Sequence, residues 1–201
     1  METNKITLAG FIGDITYSHS TLGEDFYDAY ISVRRESEAT DELRLVIPSV
    51  IASNLVSGNE YTVHGEIRTR NDRENTKKKL DVFVFVKEVG EYAGYDINEA
   101  EFIGFVCKKP IIRKTPFGRT ITDYLLAVNR QFGKSDYIPC ISWGRSAVRM
   151  ENVEVGTKIL VRGRMQSRVY NKRLSETESE ERVAYELSTS LFEIMGAENE
   201  N

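Results

Sequence analysis

Three segments of this chain recur, in the same order, further along it. Asn4 to Phe11 (NKITLAGF) returns as Asn98 to Phe105 (NEAEFIGF), Gly23 to Arg35 (GEDFYDAYISVRR) as Gly118 to Arg130 (GRTITDYLLAVNR), and Gly58 to Arg70 (GNEYTVHGEIRTR) as Gly156 to Arg168 (GTKILVRGRMQSR). An ordered duplication of this kind points to two tandem domains of one fold. It also supplies an internal control. Two copies of one fold share their core positions, so a position where they differ in charge or aromatic character reports what one copy does and the other does not.

Each copy reads as short alternating strands separated by Gly, Asn, Asp and Pro, with one helix-length segment before the glycine that opens the fourth strand. In the second copy strands are expected over roughly 100–107, 120–129, 137–143, 158–170 and 183–194, with the helix between Arg145 and Glu154. Five strands with a helix between the third and fourth is the order of the oligonucleotide-binding (OB) fold, a small, partly open Greek-key barrel. The expected class is therefore all-β, two tandem five-stranded OB barrels with a short helix in each. The expected boundaries are a first domain over 1–89, a linker over 90–96 (GEYAGYD), a second domain over 97–195 and a short tail over 196–201. The charged runs Asn71 to Lys79 (NDRENTKKK) and Asn171 to Arg182 (NKRLSETESEER) would join strands four and five, and such runs are most often solvated hairpin tips.

A net charge of −4 conceals a strong asymmetry. Residues 1–96 hold 11 Lys+Arg against 17 Asp+Glu, a net −6, whereas residues 97–173 hold 15 against 6, a net +9; the remaining 28 residues hold 1 against 8, a net −7. The positive charge a polyanion requires is confined to the second copy.

Strand parity shows where that charge points, because successive side chains of a strand face opposite ways. Along Ile159 to Tyr170 one face carries Leu160, Arg162, Arg164, Gln166, Arg168 and Tyr170, while the aligned face of the first copy carries Thr62, His64, Glu66, Arg68, Arg70 and Asp72. In DYIPCISWG, Ile138, Cys140 and Ser142 align with Leu43, Leu45 and Ile47 as barrel interior, which sends Tyr137 and Trp143 to the opposite face. Their counterparts are Glu42 and Pro48, and a core aromatic is seldom replaceable by Glu, so both rings are expected outside. Rings beside arginines suit a single strand, whose bases stack and whose phosphates need neutralising. A third cluster, KKPIIRKTPFGR, groups Lys108, Lys109, Arg113, Lys114 and Arg119 on a loop, where the aligned GDITYSHSTLGE has no Lys or Arg.

The second copy as a whole, in NEAEFIGF, TPFG, LLAVNR, DYIPCISWG and VRGRMQSRVY, closely resembles the bacterial single-stranded DNA-binding proteins. The resemblance is strong over about 95 residues and reaches the first copy only as fold. It implies base stacking at four aromatic positions, which fall on Phe132, Tyr137, Trp143 and Tyr170; the aligned Ser37, Glu42, Pro48 and Asp72 are not aromatic. It also implies four barrels per assembly, hence a homodimer of this chain. The tail of the family, acidic and apolar, recruits repair proteins; here the sequence stops at MGAENEN, which departs from that pattern.

The expected function is non-catalytic binding and protection of single-stranded DNA in replication, recombination or repair, with the second domain binding and the first serving assembly. Phe83 and Phe85 lie on one face of LDVFVFV and Leu80, Val82 and Val84 on the other, so that one face could meet another barrel or be covered by its own loops. The alternative is a module that binds replication or recombination proteins through the same rings. Enzyme signatures are absent: Gly133-Lys134-Ser135 lacks the glycine five positions earlier, where Val128 stands, and His19 and His64 offer no catalytic or metal-binding set. Glu99 and Glu101 share a strand face and read as surface residues, and Cys107 and Cys140 as buried thiols. No cofactor or metal is expected. With neither a signal-peptide pattern nor a membrane-length apolar run, the expected location is the cytoplasm, in association with the nucleoid.

Overall fold

The computed structural model describes residues 3–71, 80–173 and 179–196. The first half consists of β1 (Asn4–Ile12), β2 (Thr16–Thr21), β3 (Glu24–Arg34), β4 (Thr40–Pro48), the one-turn helix α1 (Ser49–Ala52), β5 (Glu60–Asn71) and β6 (Leu80–Glu91). The second half repeats this order as β7 (Ile97–Val106), β8 (Ile111–Lys114), β9 (Thr120–Asn129), a 3-10 turn (Gln131–Gly133), β10 (Ser135–Trp143), α2 (Gly144–Glu151), β11 (Lys158–Arg173) and β12 (Ser179–Ile194).

In each half five strands close a ring. β1 pairs with β5, β5 with β6, β6 with β4, β4 with β3, and β3 returns to β1; β7, β11, β12, β10 and β9 close in the same way. The β4–β6 and β10–β12 pairs are parallel, as Greek-key closure of an OB barrel requires. Apolar alternation drives the closure: β1 buries Ile6, Leu8 and Ile12, and β9 buries Ile121, Leu126 and Val128. The aligned interior residues Ile138, Cys140 and Ser142, like Leu43, Leu45 and Ile47, are all buried. Burial pushes the Cys140 thiol up, whereas Cys107 is only half-buried. Among the described residues no helix is long and apolar enough to cross a membrane.

Three details differ from the expectation. Each barrel carries a sixth strand, β2 or β8, as an edge partner of β3 or β9. β8 is four residues long and follows Pro110; so short a run shows no period, and a proline-flanked segment is tolerated at a sheet edge. The run Asn171 to Arg182 is largely ladder rather than loop, since Asn171 pairs with Glu181 and Arg173 with Ser179; residues 174–178 between them, 72–79 of the first charged run including Asp72, and 197–201 of the tail lie outside the described residues.

The third difference is the joint between the halves. β1 pairs antiparallel with β7 over six positions, Asn4↔Phe102 to Ala9↔Ile97, so one twelve-stranded sheet runs through both barrels. The connection over 92–96 is tied down. Asp96 accepts from the Arg34 backbone N–H (2.6 Å), the Arg34 guanidinium (3.1 Å) and the Tyr92 hydroxyl (2.7 Å). The Arg34 cation first, then the hydrogen bonds from the Arg34 amide and Tyr92, hold the Asp96 carboxyl down at about 2. A carboxylate with a depressed folded-state value stabilises the fold above its unfolded value and loses that contribution as pH falls. The clasp is therefore expected to release between about pH 4 and pH 2. The Arg34 amide resonance checks this: a midpoint near 4 instead of near 2 would show that Asp96 is not clasped in solution.

The two barrels also clamp each other reciprocally. Asp136 of the second is fully buried, ion-paired to Arg130 (3.2 Å) and to Arg68 of the first (3.1 Å), and accepts the Thr69 N–H at 2.7 Å. Asp41 of the first, at the aligned position, is ion-paired to Arg35 and to Arg164 of the second (3.2 Å), and accepts the Ser167 N–H at 3.0 Å. The Tyr137 N–H donates to Thr69 Oγ1 (2.8 Å) just as the Glu42 N–H donates to Ser167 Oγ (3.0 Å). The halves are thus related by an approximate twofold axis.

Candidate nucleic-acid interface

Trp143 ends β10, half-buried, and its indole N–H donates to Ser188 Oγ on β12 at 3.1 Å. That bond fixes the ring edge while the rest of the ring separates two depressions. A groove of about 810 Å³ is lined by Trp143, Arg162, Arg164 and Ser188 of the second barrel and by Lys5 and Thr7 of the first. A second cleft of about 580 Å³ is lined by Arg119, Trp143 and Arg145. The only tryptophan in the chain thus borders two depressions that are each also lined by arginines. A base could stack on such a ring while its flanking phosphates meet guanidinium groups.

The other rings lie further along the same barrel. Tyr137 is 43% exposed at the opposite end of β10, about 20 Å along the strand from Trp143. Phe132 is 94% exposed on the 3-10 turn just before β10 and sits at φ 63°. A left-handed backbone is costly for a side chain with a Cβ, so this turn holds an aromatic where glycine would be easier. Tyr170 is half-buried on the β11–β12 hairpin with the Arg168 guanidinium 5.5 Å from its ring centre. In the first barrel Ser37 and Glu42 are exposed and Pro48 is buried.

Strand parity holds for Tyr137 and Trp143 but not along the whole face. Ile141, between them, is buried, because β10 is hemmed there by β9 and β12. On β11, Gln166 is buried and donates to Glu186, where β11 passes against β4 of the first barrel. The arginine face expected to be continuous is thus divided, with Arg162 and Arg164 in the groove and Arg168 with Tyr170 on the hairpin.

Each arginine also has an acidic neighbour. Arg162 binds Glu101 (2.5 Å), Arg164 binds Asp41 (3.2 Å), and Arg168 lies 3.9 Å from Glu186. Burial, followed by the nearby Arg35 cation, lowers the Arg164 proton affinity below its ordinary value. Arg113 is tied to Asp123, whereas the side chains of Lys108, Lys109, Lys114 and Arg119 are exposed around β8 and the turn after it. Arg145, at the start of α2, had not been expected; its signal in the sequence is a basic residue two places after Trp143.

The equivalent face of the first barrel is built differently. Cross-strand register sets Phe83 opposite Arg68 and Phe85 opposite Glu66. Arg44 and Arg70 lie 5.7 Å and 6.0 Å from the Phe83 ring and Lys87 lies 5.2 Å from Phe85. Those cations are already held, Arg44 by Asp28 and Asp81, Arg70 by Asp81 and Lys87 by Glu66. The face is aromatic but electrically balanced.

Comparison with known proteins bears on this asymmetry. Residues 97–192 match the single-strand binding protein family. Single-stranded DNA-binding protein A of Bacillus subtilis is 35% identical over 81 residues, which are 37% of this chain and 47% of that protein. The single-stranded DNA-binding protein of Enterococcus faecalis is 36% identical over 81 residues, 37% of this chain and 43% of its own. The chain thus spans less than half the length of these curated relatives. The crystal structure of the wild-type single-stranded DNA binding protein from Thermus aquaticus superposes with a TM-score of 0.75 at 19% identity, covering 96% of this chain and 93% of that one, so the two-barrel fold is shared throughout.

Proposed function

From the match of residues 97–192 to the single-strand binding protein family, we propose that this chain coats single-stranded DNA without catalysing a reaction, the strand lying along the second barrel. The observation that carries the reading is that Trp143 lines both a cleft with Arg119 and Arg145 and a groove with Arg162 and Arg164. Phe132, Tyr137 and Tyr170 extend the stacking path, and Lys108, Lys109, Arg113, Lys114 and Arg168 supply further phosphate contacts. The first barrel, net negative and without rings at the four aligned positions, serves assembly, with the Phe83–Phe85 face as the surface that meets another barrel in a homodimer of four barrels. The protein works in the cytoplasm on nucleoid DNA during replication, recombination or repair.

Titration with oligodeoxythymidine at two salt concentrations tests this. Indole emission is expected to fall on binding. The logarithm of affinity should fall with the logarithm of salt by about 0.7 for each phosphate neutralised. Replacing Arg162, Arg164 and Arg168 together with Ala should flatten that slope, by less than three phosphates' worth because each arginine already has an acidic neighbour. Binding that ignores salt would favour the rival reading, in which the rings anchor a protein partner.

A further inference from the structure

The strand by which the second barrel joins the first carries a different set of side chains from the strand it meets. The register of the β1–β7 seam is centred on Ile6↔Ala100. Across it Lys5 faces Glu101 and Thr7 faces Glu99, while on the buried side Ile6 meets Ala100, 2% and 5% exposed. The repeats align Lys5 with Glu99, Ile6 with Ala100 and Thr7 with Glu101, so the pairing that two second barrels would make in this geometry can be written down. Glu99 of each would face Glu101 of the other, and Ala100 would face Ala100. Two carboxylate pairs would stand directly opposed, offset only by the Arg162 already bound to each Glu101, which destabilises a ladder, and a small residue would meet a small residue where Ile6 now fills the space.

The buried clamps impose no such choice. Asp136, the aligned counterpart of Asp41, would find Arg164 of a second copy as Asp41 does now, so its charge would still be met although Gln166 stands at the Arg68 position. Discrimination therefore resides in the seam strand, and in the pair of glutamates that the sequence alone presents as plain surface. We propose that Lys5-Ile6-Thr7 and Glu99-Ala100-Glu101 form a heterotypic pairing code. By it the ring-bearing barrel accepts a first barrel and rejects another ring-bearing barrel through this edge. Any larger assembly must then use other surfaces. This inference does not depend on what the second barrel binds.

The test keeps the chain intact through folding. A protease recognition sequence is inserted between Ala93 and Tyr95, all exposed in the connection, the folded protein is cut, and the halves exchange before native mass spectrometry. Pairs of one first and one second half are expected to dominate, with second–second pairs about tenfold or more below a random share. The double substitution Glu99→Lys with Glu101→Thr should raise the second–second share towards random. Salt at 1 M, where screening acts within about 3 Å, should raise it without any substitution, which covers a variant that does not fold. Halves that remain unpaired after exchange, random pairing in the unaltered protein, or a second–second share unmoved by salt would each overturn the proposal.

Discussion

Replacing Asp136 with Ala is expected to cost about 3–5 kcal/mol of folding stability, a large part of the 5–15 kcal/mol typical of a domain. The carboxylate is fully buried and faces Arg68 and Arg130, with the Thr69 amide donating to it. Its removal leaves Arg130 without its counter-charge, Arg68 with Glu66 alone, and the Thr69 amide without its acceptor. That stranded charge, rather than the net worth of the ion pairs, sets the size of the loss, since a complete buried pair contributes little over a well-packed apolar replacement. Asp136→Asn keeps an acceptor for Thr69 and should fall between the wild type and Asp136→Ala. Denaturant midpoints at constant slope measure both, and a loss below about 1 kcal/mol for Asp136→Ala would show that solvent reaches the clamp.

The second large effect is on affinity. Trp143→Ala should weaken single-strand binding by roughly 1–3 kcal/mol, the usual contribution of one stacked base, and remove the fluorescence change. The fold should survive, because the ring is only half-buried and its one polar contact, to Ser188, is with a hydroxyl that water can also reach from the groove. A core tryptophan would behave oppositely, with an early-melting variant at about 3–5 kcal/mol of lost stability. Unchanged affinity together with such a loss would remove Trp143 from the interface and put Tyr137 in doubt with it.

These two residues mark what the sequence discloses and what it withholds. Comparing the copies located Tyr137 and Trp143 outside and Ile138, Cys140 and Ser142 inside, because both halves must bury the same positions and only one must present rings. Parity failed at Ile141 and Gln166, since it assigns a face to a side chain but not whether a neighbouring element covers that face. The ion pairs were beyond reach for a related reason. Arg162 meets Glu101 from 61 residues away within one barrel, and Arg164 meets Asp41 from 123 residues away across the two, contacts that only folding creates. Asp41 and Asp136 carried no periodic signal, and their reciprocity appears only once both barrels are in place. β8 went unread because four residues beside a proline show no period.

The seam also changes how pairing responds to dilution. Two separate chains that met through β1 and β7 would come apart as their concentration fell, because their stability would include the cost of finding each other. Joined through 92–96, with Asp96 clasped by Arg34, the partner strand is present at an effective concentration set by a short tether and independent of the amount of protein. Melting of the two-barrel unit should therefore not shift with protein concentration. Any concentration dependence that is observed then reports contacts between chains, and separates that outer assembly from the pairing already built into each molecule.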